Sequence, residues 1–204
     1  MSLALTYDEV KALEPCSKEW RRVSALLGGE RGWNGKRIDA ATARAAGCSI
    51  DDLVWVAISV ARYDADVHRR LRLWMADCAA HVLHIYEKSE TSDAPRNAII
   101  AARAFARGEI DNAARAAASD AAWIAARNAA ELSAARYSAY AAAVSVSSSA
   151  GWITTWDAAR SAALDAEEWS AAWDAADSLQ FDRLIERLSE NEPDDWPLPE
   201  VETR

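Results

Sequence analysis

The stretch NAARAAASDAAWIAARNAAELSAARYSAYAAA, residues 112–143, decides the fold. It opens an alanine-rich region from Asn112 to Asp177, in which 27 of the 64 residues Ala113–Ala176 are alanine. Most come as pairs, among them Ala121-Ala122, Ala125-Ala126, Ala129-Ala130, Ala158-Ala159, Ala162-Ala163, Ala171-Ala172 and Ala175-Ala176. Many successive pairs lie three to five residues apart, which lays a stripe of small side chains along one helix face. Alanine has the highest helix propensity, and the region holds no proline and one glycine, Gly151. Methyl-sized stripes also let helices approach near the short end of the roughly 8–10 Å interaxial range. The β-branched and serine run Val144–Ser149 lowers propensity. A turn near 147–152 is therefore expected, with a further break within Leu132–Ser138 also compatible with the sequence. The fold class read from this is all-α: an Ala-rich helical bundle whose two long C-terminal helices form an antiparallel hairpin.

Towards the N-terminus, helix starts and stops are explicit. Thr6-Tyr7-Asp8-Glu9 reads as a capping box, and Ser49-x-x-Asp52 as a weaker one before Leu53–Ile58. Ser17–Glu19 can cap a second helix closed by Gly28-Gly29; Asp39 opens a short helix that Gly47 ends. The segment Gly28–Lys36 carries four of the seven glycines and reads as a loop with an exposed Trp33. Asp64 opens a helix reaching about Tyr86, with Val67, Leu71, Trp74, Met75, Cys78, Val82 and Ile85 on one face. Ser92-Asp93-Ala94-Pro95 starts the next, which Gly108 stops, and Asp111 caps the first Ala-rich helix. The organisation expected is one helical domain, 1–190, comprising N-terminal helices 1–48, middle helices 49–110 and the hairpin 111–190. An acidic, proline-bearing tail, 191–204, follows; it is expected to be mobile, with Trp196 as an anchor.

The core pairs very small with very large side chains, since the chain has ten Trp but two Phe and two Met. Net charge is −9. Residues 1–156 are nearly neutral, with 19 Lys/Arg against 18 Asp/Glu, whereas 157–204 carry 4 Arg against 14 acids. That distribution argues against direct nucleic-acid binding and favours a cationic partner. Three cysteines without metal-ligand spacing, and an N-terminus (MSLALTYDEV) with neither a basic region nor a long apolar run, lead us to expect a reducing cytoplasm and no membrane span.

Three constellations could carry chemistry. Asp77, His81, His84 and Glu87 share a helical face with residue types that suit zinc or iron, although a polar face with hydrogen-bonded histidines fits the same spacing. No cofactor and no bound metal are expected. The pairs Trp152/Trp156 and Trp169/Trp173 sit beside Asp157, Asp165, Glu167, Glu168 and Asp174; they read either as rings filling space left by alanines or as an aromatic patch with an acidic rim. Arg96 and Arg103, seven apart with Arg107 beyond, share a face, and Arg103 invites pairing with an acid such as Asp77. No Gly-x-Ser-x-Gly elbow, Walker motif or dinucleotide fingerprint is present, so no catalytic residue is assigned and no enzyme is expected.

Three stretches resemble the immunity-five-like group of immunity proteins of bacterial polymorphic toxin systems. These are Asp51–Val56; Arg72–Leu83 followed by Ala94–Ile110; and the Ala/Trp region ending Leu179–Leu184, together spanning about 50–188. The resemblance implies an all-helical, non-enzymatic protein that neutralises a cognate toxin by binding it. On the matching positions it places a candidate polar pocket at Asp77, Arg96, Arg103, Gln180, Asp182 and Arg183. Combined with the charge distribution, it makes a basic protein toxin the expected partner, met by Asp165, Glu168, Trp169, Trp173, Asp174 and Asp177. Two alternatives stay open: an acidic nucleic-acid mimic antagonising DNA-handling or defence proteins, and a helical pocket sequestering a small ligand.

Overall fold

The computed structural model describes residues 2–129, 134–146, 155, 157–159, 161–162 and 171–200, without the side chains of 134 and 171–177. The turn expected near 147–152, both members of the Trp152/Trp156 pair, Trp169, Asp165, Glu167 and Glu168 lie outside the described residues; Trp173, Asp174 and Asp177 lie on a helix, but their side chains are outside the description. Helix dominates, as the alanine content requires, and the described strands are two residues each. Contacts group the chain into two compact units: residues 1–71 with 184–193, and residues 72–183 with 194–204.

In the first unit, β1 (Ala4–Leu5) pairs antiparallel with β2 (Ile38–Asp39), Ala4 opposite Asp39 and Leu5 opposite Ile38. Helix α1 (Tyr7–Ala12) begins with the complete Thr6/Glu9 capping box. Helix α2 (Ser17–Leu26) starts from Cys16 without a side-chain cap. The segment read as a loop contains a short helix, α3 (Gly29–Trp33), entered through Gly28 at φ 80°. Trp33 is not exposed: it is 2% accessible, donates from Nε1 to the Leu5 carbonyl at 3.2 Å, and packs edge-on to Tyr7 with ring centres 5.5 Å apart. Its partners lie some 13 to 28 residues away in sequence, beyond the reach of local pattern. Helix α4 (Ala40–Ala45) is capped by Asp39, and α5 (Ile50–Ala61) by the Ser49/Asp52 box, whose carboxylate also takes Arg22. Val10, Leu53, Val54, Ala57 and Leu188 contribute to this unit's core, beside a small apolar cavity of about 60 Å³.

Helix α6 (Ala65–Ser89), capped by Asp64, contributes residues 65–71 to the first unit and 72–89 to the second. The second unit also holds α7 (Ala94–Ala106), α8 (Asn112–Asn128), α9 (Ala134–Ser145) and residues 171–183 of α10 (Ala171–Leu188). The first Ala-rich helix is shorter than its sequence suggests. Ala129 turns extended, φ −66° and ψ 154°, where local propensity offers no breaker. Burial explains this: Ala125, Ala126 and Ala129 share a cluster with Ala135 and Ala139 around Tyr86, which one straight helix could not bring together. Ser119 donates to the Ala143 carbonyl at 3.2 Å, and Trp123 meets Tyr140 edge-on at 4.7 Å. Positions later in α8 thus meet positions earlier in α9, so these two helices are antiparallel within a stretch read mainly as one helix, with a break within Leu132–Ser138 left open.

The alanine contact can be tested by size. Ala139→Leu, at a fully buried site, is expected to cost about 1–3 kcal/mol through overpacking, whereas Ala113→Leu on the exposed face of α8 should stay within about 0.5 kcal/mol. Urea unfolding followed by circular dichroism measures both; equal effects would mean that the stripe does not govern helix approach.

Candidate functional site

Every residue of α6 from Arg70 to Ala80 is buried, so a polar side chain there must find its partners inside the protein. Asp77 is fully inaccessible. Its Oδ1 accepts from Arg103 Nη2 of α7 at 3.0 Å and its Oδ2 from Arg183 Nε of α10 at 2.7 Å. The main-chain N–H of Trp196 adds a third bond, at 3.1 Å. A buried carboxylate is tolerable only when paired and hydrogen-bonded, and here both oxygens are used.

The two arginines then reach a segment that has no regular secondary structure. Arg103 Nη2 donates to the Trp196 carbonyl at 2.8 Å, and Arg183 donates to the Asp194 carbonyl. Asp195 pairs with Arg107 and lies 3.6 Å from Arg103 Nε. One step along α7, Arg96 makes a bidentate pair with Glu87, both bonds 2.8 Å, and donates to the Pro199 carbonyl at 2.7 Å. The Trp196 ring lies 5.2 Å from the Arg183 guanidinium and 5.5 Å from the His81 ring. Residues 194–199 are therefore held in place rather than trailing as the mobile tail expected from composition, and the anchoring role read for Trp196 is filled by its main chain as much as by its ring.

Of the six residues suggested as a polar pocket, Asp77, Arg103 and Arg183 meet in one network, and Arg96 joins it through the same segment. Gln180 is buried, but its main-chain carbonyl does the work, accepting Trp74 Nε1 at 3.0 Å; its side-chain amide has no hydrogen-bond partner among the described residues. Asp182 is exposed on α10. Sequence reasoning missed Asp195, Glu87 as the partner of Arg96, and the carbonyls of Asp194, Trp196 and Pro199. The available signal was the arginine series 96, 103, 107 set against the acids of Glu192–Trp196.

The metal candidate takes a different form. Asp77 and Glu87 face guanidinium groups, and His84 Nδ1 lies 3.0 Å from the His81 carbonyl. Among the described residues no group of three or more potential ligands comes together. Burial, reinforced by the charge of His84, holds the His81 imidazole below its ordinary value of 6.5.

Residues 61–152 match a family model described as "Imm-5 like putative immunity protein". That is the group the sequence resembles, and the match takes in Arg72–Leu83 and Ala94–Ile110 while leaving Asp51–Val56 and Leu179–Leu184 outside it. No curated protein and no solved structure matches the chain. No helix among the described residues is long and apolar enough to cross a membrane.

Two expectations follow. Asp77→Asn leaves two buried guanidinium groups without their shared counter-charge and is expected to cost about 3–5 kcal/mol, against about 0.5 kcal/mol or less for Asp182→Asn. Chemical denaturation of the two variants provides the comparison. For His81 the folded form disfavours the proton, so its contribution to stability is complete above the ordinary value and is lost as pH falls through it. Between about pH 7.5 and pH 5.5 the native chain should lose stability, and His81→Gln should lose less. Parallel slopes would remove His81 as the cause.

Proposed function

We propose that the chain is a non-enzymatic binding protein that neutralises a cognate bacterial toxin by direct contact. The observation that carries this reading is the match of residues 61–152 to an immunity-protein model. The geometry supports it in one respect. Asp77, Glu87, Arg96 and Arg103, the charged groups in the matched segment that a catalytic or metal reading would enlist, bond to one another or to the chain's own C-terminal segment.

The surplus negative charge lies C-terminal to the match. Residues 157–204 hold 14 acids against 4 arginines. Asp182 is exposed in the C-terminal half of α10. We take Asp165, Glu168, Trp169, Trp173, Asp174 and Asp177, read from the sequence, as the acidic, tryptophan-bearing face that would meet a basic toxin domain in the cytoplasm. Charge of that kind steers encounter and confers specificity more than it adds raw affinity.

The test is binding to the product of the adjacent gene, measured at low and high salt. Reversing Asp165, Glu168, Asp174 and Asp177 to lysine should slow association on the order of tenfold or more at low salt and flatten the salt dependence. Unchanged affinity and salt response would defeat the acidic-face assignment. Capture of many DNA-handling proteins in place of one partner would defeat the toxin reading and favour the nucleic-acid mimic.

A further inference from the structure

Three of the arginines that hold residues 194–199 have a carboxylate partner outside that segment, whereas Arg107 pairs with Asp195 within it. Arg103 and Arg183 share the Asp77 carboxylate, and Arg96 is locked in a bidentate pair with Glu87. Without the segment, Arg96, Arg103 and Arg183 keep those carboxylates, and the N–H groups that now bond the segment are left facing the place it occupied; Arg107 and Arg103 lose Asp195. What they recognise there is largely main chain: the carbonyls of Asp194, Trp196 and Pro199, together with the Trp196 N–H taken by Asp77. Side-chain selectivity comes from two points. Asp195 meets Arg107, and the Trp196 ring lies against Arg183 and His81. The occupant lies on the surface, with Asp194, Pro197 and Glu200 exposed and the residues between them half-buried.

A row of fixed donors reading alternate main-chain groups, with one aromatic anchor and one carboxylate contact, is how proteins bind extended peptides. We infer that the face formed by Arg96, Arg103, Arg107, Arg183, Asp77 and His81 is a preorganised peptide-binding groove. The chain's own segment Asp194–Pro199 occupies it in cis, and an extended acidic peptide bearing a tryptophan next to proline, presented by a partner, can replace that segment. The inference concerns this groove alone and does not require the partner to be a toxin. It also differs in sign from the acidic surface proposed above, since this groove is cationic and accepts acidic chain.

Local tethering sets the expected behaviour. A segment joined directly to its site competes at an effective concentration in the millimolar range, so a free peptide of the same sequence should bind the intact chain weakly. The probe is a fluorescein-labelled peptide of residues 190–200, ENEPDDWPLPE, titrated by anisotropy against the full-length chain and against a full-length Asp195→Lys/Trp196→Ala variant. Emptying the groove in that variant should tighten peptide binding by about tenfold or more, and adding Arg103→Met should abolish the gain. A folded variant, judged by its circular dichroism, that binds the peptide no better than the native chain overturns the inference. Native-state hydrogen exchange on the unaltered chain gives a second reading that needs no variant. The Trp196 amide should exchange through local opening on the order of a hundredfold faster than those of Cys78 and Ala79 in α6. Exchange at the same rate as α6 means that the segment leaves only when the unit unfolds, and that overturns the inference as well.

Discussion

One buried carboxylate constrains the whole second unit. Asp77 sits on a helix whose residues Arg70–Ala80 are all covered, and an ionised group there is tolerable only if each oxygen is bonded. That requirement brings one arginine from α7 and one from α10, and each then carries surplus N–H groups that need acceptors. The acceptors are the carbonyls of residues 194 and 196, so the course of the C-terminal segment follows from the placement of one aspartate. A comparable logic operates in the first unit. The buried Arg187 donates to Glu192 and to the Pro193 carbonyl, and Arg70 closes on the carbonyls of Arg187 and Ser189.

Around these polar fixtures the core is not the small-against-large packing that composition suggests: alanines and aliphatic side chains such as Leu71, Leu83, Ile99 and Leu184 fill it together with the buried rings of Trp33, Trp74 and Tyr86. Alanine faces of α8 and α9 close on Tyr86, while Trp33 and Trp74 are buried and bond a carbonyl through the indole N–H. Indole rings supply area and one directional bond; alanines supply close approach at almost no side-chain entropy cost. Replacing both with mid-sized aliphatic residues would lose the directional bonds that fix where each chain segment crosses.

What could be read from the sequence was local or charge-driven. The capping side chains of Thr6, Asp39, Ser49, Asp64 and Asp111 make the bonds their spacing foretold, because a cap involves residues only two or three apart. The pairing of Arg103 with Asp77 was suggested by an arginine flanked by alanines, since a charge on a small-residue face must be answered. Other features were hidden because they depend on contacts distant in sequence. Trp33 is buried by β1 and α1, the end of α8 at Ala129 is set by Tyr86, and residues 194–199 are held in large part by side chains of α6 and α7, some 88 to 119 positions earlier. Composition read that last segment as loose because acids and prolines usually are; four arginines waiting for it could not be seen one window at a time.

The three thiols divide in a way that is useful at the bench. Cys16 is exposed, whereas Cys48 and Cys78 are buried, and burial raises both of their thiols above the ordinary range. Cys48 belongs to the first unit and Cys78 to the second. A thiolate, not a thiol, reacts with an alkylating reagent, so each buried cysteine stays silent until its own surroundings open. With Cys16 labelled beforehand or replaced, the order in which the other two become reactive reports which half of the chain comes apart first. The protein therefore carries a separate chemical clock in each of its two units, readable by mass alone.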